Sequence, residues 1–376
     1  MQESVYNYLP NDFLARLLST AMNLRSLDLS PGFLISYPHI APVVTFHRSL
    51  TTLSLAGCQA FSTSTLPQFL SFLPNLVRLD ISGTSGVTPA LFTVLPHLHL
   101  TAIRLRHQTF KINDDSIRHL AQTFQSNLSD LDISFALKSI TEKSIEHIER
   151  YCQARPPLYS SEITEVDIGP GPRKLGLAYT SVPLAAVTRL LHSEMIHLVA
   201  LDLAGISSTS SDSVEFWESL KRGGSFHTLE SMRIDFPVFA ANASFNITHL
   251  PSRLREFTIH NVPPVESSPP RTTRVLIMLL IDIASPNTNP FIVSSLRTLN
   301  LEMMPKADEQ DLGMYALNES TSEEIDVIEE LKRWKKSQKR PWQGEIRVVR
   351  DVTGVRGYAQ EFGSGVGDIL GRWQFE

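Results

Sequence analysis

The sequence predicts an α/β solenoid: a parallel sheet along one side, helices along the other, built from short repeats. Three observations predict it. A six-residue pattern, Leu-x-x-Leu-x-Leu with apolar substitutes, occurs ten times between Leu24 and Leu301. Its first copies are evenly spaced, with Leu27, Leu53 and Leu79 each 26 residues apart, a period typical of stacked supersecondary units. Several segments between copies carry apolar residues at i, i+3, i+4 and i+7, the spacing of an amphipathic helix.

The strands are read first. The copies are Leu24–Leu29, Leu50–Leu55, Leu76–Ile81, Leu100–Leu105, Leu128–Ile133, Ile163–Ile168, Leu198–Leu203, Leu229–Ile234, Leu254–Ile259 and Leu296–Leu301. Alternate strand residues face opposite ways, so Leu27 and Leu29 point to one side and Asp28 to the other. One ~26-residue unit cannot bury its apolar side alone. Stacking in parallel buries it, and parallel strands need a crossover, for which helices serve. Helices are expected at Leu66–Leu73, Asp115–Phe124, Ser144–Cys152, Pro183–Leu191, Val214–Leu220 and Arg274–Ile283. The longest apolar run, Val275–Ile281, is far short of the ~20 residues that span a bilayer, and fits the last of these helices.

Composition sets the outer limits. The chain has 376 residues, is 42% hydrophobic and 19% charged, and carries a net charge of −5. It has the apolar content for a core, and lacks the strong basic excess of a nucleic-acid binder. Two cysteines exclude a disulfide framework and a cysteine-rich zinc site. The opening Met1-Gln2-Glu3-Ser4 shows no secretory leader. A cytoplasmic or nuclear location is expected, with no membrane partner.

The residues Leu53-Ser-Leu55-Ala-Gly-Cys58, together with Ile112-Asn-Asp-Asp-Ser-Ile117 and Ile140-Thr-Glu-Lys-Ser-Ile145, carry a resemblance. The chain resembles a leucine-rich-repeat protein, and more narrowly the cysteine-containing subclass found in F-box/LRR substrate receptors. The resemblance covers about residues 9–302. It implies a curved parallel sheet on the concave side, helices on the convex side, and an inert Cys58 packed in the core. Tyr8-Leu-Pro-Asn-Asp-Phe13-Leu-Ala-Arg-Leu-Leu18 is similar to the start of an F-box. A full F-box needs ~40 residues of helix, and the first strand pattern already begins at Leu24, so this stretch is expected to be an ordinary repeat helix. An adaptor of a cullin-type ubiquitin ligase is implied as a partner only if an F-box lies upstream.

Two segments divide the chain on this reading: a solenoid at 1–302 and, at 303–376, a C-terminal cap with a Gly-rich tail. Residues 302–330 hold ten acids and one Lys; residues 331–350 hold eight bases and Glu345. Ser320–Glu323 matches a capping box opening a helix that runs to Trp334. Glu345–Arg350 alternates like a short strand. The basic patch Lys332, Arg333, Lys335, Lys336, Lys339 and Arg340 is expected to be a solvated helix end that balances the acidic first half; a localisation signal is its functional alternative.

In a horseshoe the polar strand residues line the open face. The central column runs Asp28, Ser54, Asp80, Arg104, Asp132, Asp167, Asp202, Arg233, Thr258, Asn300. Flanking positions add Arg78, Arg106, Asp130, Glu165, Asp235, Glu256 and Glu302, giving ten acids against four bases. This face is expected either to bind a basic protein segment through complementary potential, or to be plain repeat grammar in which each Asp bonds its own neighbours. No His-Glu-x-x-His, Gly-x-Ser-x-Gly or Cys-x-x-Cys occurs. No catalytic residue, cofactor or metal is expected, and the function expected is protein recognition by a substrate receptor or scaffold. The alternative is a small-GTPase regulator that supplies an arginine from the rim, with Arg106 beside His107 the nearest candidate.

Overall fold

The computed structural model describes residues 13–21, 23–30, 40–41, 43, 48–108, 111–124, 128–153, 171–193, 196–240, 250–262, 295–303 and 345–350. The chain divides into two compact units, Met1–Leu229 and Glu230–Glu376.

In the first unit the strands are β1 (Ser26–Asp28), β2 (Thr52–Ser54), β3 (Arg78–Asp80), β4 (Ala102–Arg104), β5 (Asp130–Asp132), β6 (Lys174–Gly176) and β7 (Ala200–Asp202). Each pairs in parallel with the next, and the register aligns Leu27, Leu53, Leu79, Ile103, Leu131, Leu175 and Leu201 in one row. From Leu53 onward this row is buried. Fully burying each such side chain contributes about 1.5–3 kcal/mol, so the row and its partners Leu55, Ile81, Leu105, Ile133, Leu177 and Leu203 form the spine of the core.

The described helices of this unit are α1 (Phe13–Thr20), α2 (Thr65–Ser71), α3 (Asp114–Phe124), α4 (Glu142–Gln153), α5 (Leu184–His192) and α6 (Ser210–Arg222). They cover five of the expected helical segments, with ends shifted by a few residues. The remaining one, Arg274–Ile283, lies outside the described residues. α1 overlaps the F-box-like stretch; residues 8–12 of that stretch are outside the described ones.

The phrases that carried the family resemblance have a physical job. Asn113 and Ser116 form a reciprocal cap at the start of α3, each accepting from the other's backbone N–H at 3.0 and 3.3 Å. Asp114 then reaches into the next repeat. Its carboxylate accepts from the Thr141 N–H (2.9 Å), the Thr141 hydroxyl (2.7 Å) and the Ser144 hydroxyl (2.6 Å) at the start of α4. One repeat's acidic first turn therefore caps the following helix. α6 carries its own capping box, Thr209 with Asp212. On the core side the helices bury Ile117 and Leu120, Ile145 and Ile148, Leu184 and Val187, Phe216 and Trp217.

The sixth strand corrects the sequence reading. Ile163–Ile168 alternates cleanly, yet the strand between β5 and β7 is Lys174–Gly176. Both edges of β5 are taken, by β4 and β6, and Ile163–Ile168 lies outside the described residues. Gly176 made the true strand look poor, because glycine is depleted in strands. The structure needs it: a Cβ at Gly176 would stand 2.6 Å from Asp132 Oδ1 and 3.1 Å from Ser134 Oγ. Asp167 and Glu165 lie outside the described residues.

In the second unit the strands are β8 (Ser231–Asp235), β9 (Glu256–Val262), β10 (Thr298–Met303) and β11 (Glu345–Arg350). They are again parallel to their neighbours, with Met232, Phe257, Leu299 and Ile346 in one row. A short helix, α7 (Phe236–Ala240), follows β8. The strand expected at 345–350 forms, and it adds directly to β10. The expected helix at 320–334, the basic patch Lys332 to Arg340 and the Gly-rich tail lie outside the described residues. Both units thus have the α/β leucine-rich-repeat architecture, repeated strand and crossover with the leucines inside.

Candidate functional site

The described helices take the leucine side of the first unit's strands, so the polar side is where chemistry must be sought. Parallel register brings Arg78, Asp80, Arg104, Asp130, Asp132 and Asp202 onto one face, with Arg106 at the strand end beside them. Asp28 stands at the edge strand β1 and is exposed. Arg233 and Asp235 lie on β8 in the second unit.

The carboxylates of the central column are already engaged. Asp28, Asp80, Asp132 and Asp202 each accept, through Oδ1, from the backbone N–H two residues on, at 2.9, 2.9, 3.1 and 3.2 Å. This turn-like bond closes the chain as it leaves the strand, and it is the grammar behind the recurring Leu-Asp-Leu. Ion pairs then cross the strands. Arg106 Nε donates to Asp132 Oδ2 at 2.5 Å, Lys174 Nζ stands 3.4 Å from Asp130, and Arg104 lies 3.9 Å from Asp80. The acidic excess read from the sequence is therefore largely consumed by backbone and by basic neighbours in β4–β6.

Burial tunes these groups unequally. Burial opposes the charge of Asp132, but Arg106, Ser134 and Arg104 outweigh it and hold its pKa below the usual carboxylate range. Burial likewise works against Arg106, and Asp132 overcomes it and raises its pKa. For Arg104, burial and then the adjacent Arg106 push the pKa down. Asp80 is pushed up, burial outweighing the Ser82 bonds and both arginines. With its Nε on Asp132 and its side chain only 16% exposed, Arg106 is anchored in the face and does not project from the rim.

A second column was missed by the sequence reading. Four residues after the aligned leucine of each strand stand Gly57, Gly83, His107, Phe135, Tyr179 and Gly205, all with left-handed φ between 54° and 72°. Gly57, Gly83, His107, Phe135 and Tyr179 each donate a backbone N–H to the repeat that follows, at 2.7–3.1 Å. Glycine adopts this backbone without penalty and other residues do not. In three consecutive repeats the position is aromatic. His107 and Phe135 stack at 4.3 Å and 19°, Phe135 and Tyr179 at 4.7 Å and 17°. Tyr179 in turn lies on Gly205, whose added Cβ would stand within 2.4–2.9 Å of the ring. The rings are half-buried. Burial first, then Arg106, pushes His107 down to about 4, so its ring is neutral near pH 7. The signal was present as a glycine column interrupted by His, Phe and Tyr, but the misplaced sixth strand put Pro170 where Tyr179 belongs.

In the second unit the polar strand side carries a different cluster. Glu302 Oε2 accepts from Arg233 Nε (3.0 Å) and Nη2 (2.7 Å) and lies 2.6 Å from His260 Nδ1. His260 is fully buried and Glu302 nearly so. Burial opposes the Glu302 charge, yet His260 and Arg233 hold its pKa below its ordinary value. Asn261 donates to Asp235 at 3.3 Å, and Asn300 to Glu256 and Thr258 at 3.1 Å.

Cys58 and Cys152 are buried, and burial drives the thiol of Cys152 up to about 12; such thiols are poor nucleophiles. Among the described residues, no group of three or more His, Cys, Asp or Glu is placed to hold a metal, and no helix is long and apolar enough to cross a membrane.

No family model matches the chain, and no curated protein matches it. Solved structures do resemble it. One is the complex of Rad7 and Elc1 in yeast, at 15% identity and a TM-score of 0.48, covering 78% of this chain and 71% of that one. Another is an internalin (inlF) from Listeria monocytogenes, at 13% identity and a TM-score of 0.35, covering 95% and 88%. At these scores neither likeness bears on function, and the fold assignment rests on the repeats and the sheet themselves.

Proposed function

We propose that the chain is a non-catalytic protein-recognition module that engages its partner on the polar face of β3–β7. One observation carries this: five repeats place charged side chains, and three of them half-buried rings, on and beside the strand side that the described helices leave uncovered. That composition, guanidinium and aromatic groups over a rigid sheet, is typical of binding hot spots. A photo-crosslinking residue at Ser54 or Lys174 should capture protein in cell extract, and the same residue at Arg118 on α3 should not. Equal capture from both sides would remove the strand face as the binding surface.

Within this class, a substrate receptor for a cullin-type ubiquitin ligase is the finer reading, supported by the F-box-like residues Tyr8–Leu18. Its own test is co-purification of the ligase adaptor with the full-length product of the gene. The arginine-supplying GTPase regulator loses its support, because Asp132 holds Arg106 down in the strand face, where it does not project from the rim. The expected basic partner is also weakened, since the carboxylates that were to meet it are already bonded.

A further inference from the structure

Resting on the protein-binding reading above, we propose that the His107–Phe135–Tyr179 ladder is the anchor of the interface, and that the segment it takes is an acidic peptide in which a carboxylate adjoins an aromatic or aliphatic side chain.

The first argument is backbone cost. Left-handed φ is penalised for any residue with a Cβ, and Gly57, Gly83 and Gly205 avoid the penalty at the same turn. Three consecutive repeats accept it and keep large rings there. The two ring stacks offset that penalty within the fold, and the rings are still left half-buried. A rim of aromatic groups that stays partly in water is what a partner can dehydrate.

The second argument is quadrupole geometry. An aromatic ring is negative on its face and positive at its edge. Here the faces are spent: Phe135 is stacked on both sides, by His107 and by Tyr179, and Tyr179 also rests on Gly205. A Lys or Arg of the partner needs a ring face for a cation–π contact. What Phe135 and Tyr179 leave for a partner is their ring edges, which suit carboxylate oxygens and apolar groups.

The third is local charge. Arg104 and Arg106 lie on and just past the strand that leads into His107. Their side chains are each 16% exposed, against 13% for Asp80 and 4% for Asp132, so in the Arg106–Asp132 pair the arginine is the more accessible half. Burial first, and then Arg106 beside it, disfavour Arg104 as a cation. An arriving carboxylate relieves that repulsion.

The test is a random 12-residue peptide display selection on the full chain, followed by fluorescence polarisation with the best-enriched peptide. Enriched sequences should place Asp or Glu next to Phe, Tyr, Trp or Leu. The variant His107→Gly/Phe135→Gly/Tyr179→Gly relieves backbone strain and should keep the wild-type fold by circular dichroism, yet bind at least about tenfold more weakly. If that variant does not fold, Phe135→Gly alone is read in the same way. Arg104→Gln should weaken the same peptide and flatten its salt dependence. Enrichment of Lys/Arg-rich peptides, or unchanged binding by the ladder variant, overturns the proposal while leaving the recognition function standing. No enrichment overturns it too, and joined with indifferent crosslinking at Ser54 and Arg118 it removes both.

Discussion

The two units handle buried charge in opposite ways. In the first, each buried central Asp is closed by its own chain, through the N–H two residues on, and Asp80 and Asp132 then also meet an arginine of the neighbouring repeat. In the second, Glu302 is met by side chains from two other strands, Arg233 on β8 and His260 on β9. The first arrangement is local and repeats with the sequence. The second is assembled across 69 and 42 residues of chain and occurs once among the described residues. A local bond survives loss of one partner better than a network centred on a single carboxylate.

The largest expected effect follows from that. Glu302→Ala leaves Arg233 and His260 facing each other in a dry site, and should cost about 3–5 kcal/mol, seen as lost hydrogen-exchange protection of β8–β10. Asp132→Ala should cost less, about 2–3 kcal/mol, because Asp202 and Asp80 also act on Arg106. Equal losses would erase the distinction between the units.

Gly176→Val comes next. The new side chain collides with Asp132 and Ser134, so overpacking of about 1–3 kcal/mol is expected, with a lower melting temperature as the readout. A neutral result would mean that Asp132 has another seat and that the repeat grammar tolerates any residue at this rung.

The pH response separates the units further. The folded His107 pKa of about 4 lies below the unfolded value of 6.5. The fold prefers the neutral ring, so this stability is complete above pH 6.5. It is lost as pH falls from there toward 4, at up to about 1.4 kcal/mol per pH unit. The paired Asp132 and Glu302 have lowered pKa values, so their contribution is full above the ordinary carboxylate range and fails only in stronger acid. In urea titrations, His107→Phe should therefore flatten the dependence between pH 6.5 and 4.

The smallest expected change is in Phe135→Gly. Relief of left-handed backbone, about 1 kcal/mol, offsets loss of two ring stacks, about 0.5–1.5 kcal/mol each. Stability should move by no more than about 1–2 kcal/mol. A larger drop would make the ladder a structural element of the first unit.

Much of this molecule was legible in the residues. Nine of the ten expected strands stand where the pattern put them, and the caps at Asn113 and Thr141 show why the family-like phrases recur. The failure at the sixth strand is instructive. Ile163–Ile168 has the better local pattern, while Leu175-Gly176-Leu177 has the right neighbours. Local propensity is weaker than the demand for a residue without Cβ beside Asp132. The site was less legible. Counting charges along one face gave an acidic stripe, because counting ignores the backbone N–H groups that Asp80, Asp132 and Asp202 meet and the cross-strand bases beside Asp80, Asp130 and Asp132.

By itself, then, the sequence determined the repeated unit, the burial of its leucines and the parallel, helix-backed sheet, since these follow from side-chain alternation and from crossover geometry within ~26 residues. Only the tertiary structure decided what the polar face is. Its effective charge depends on distances between strands 24 to 44 residues apart in the chain, and its aromatic ladder exists because three successive turns stack in register. Neither is a property of any single repeat.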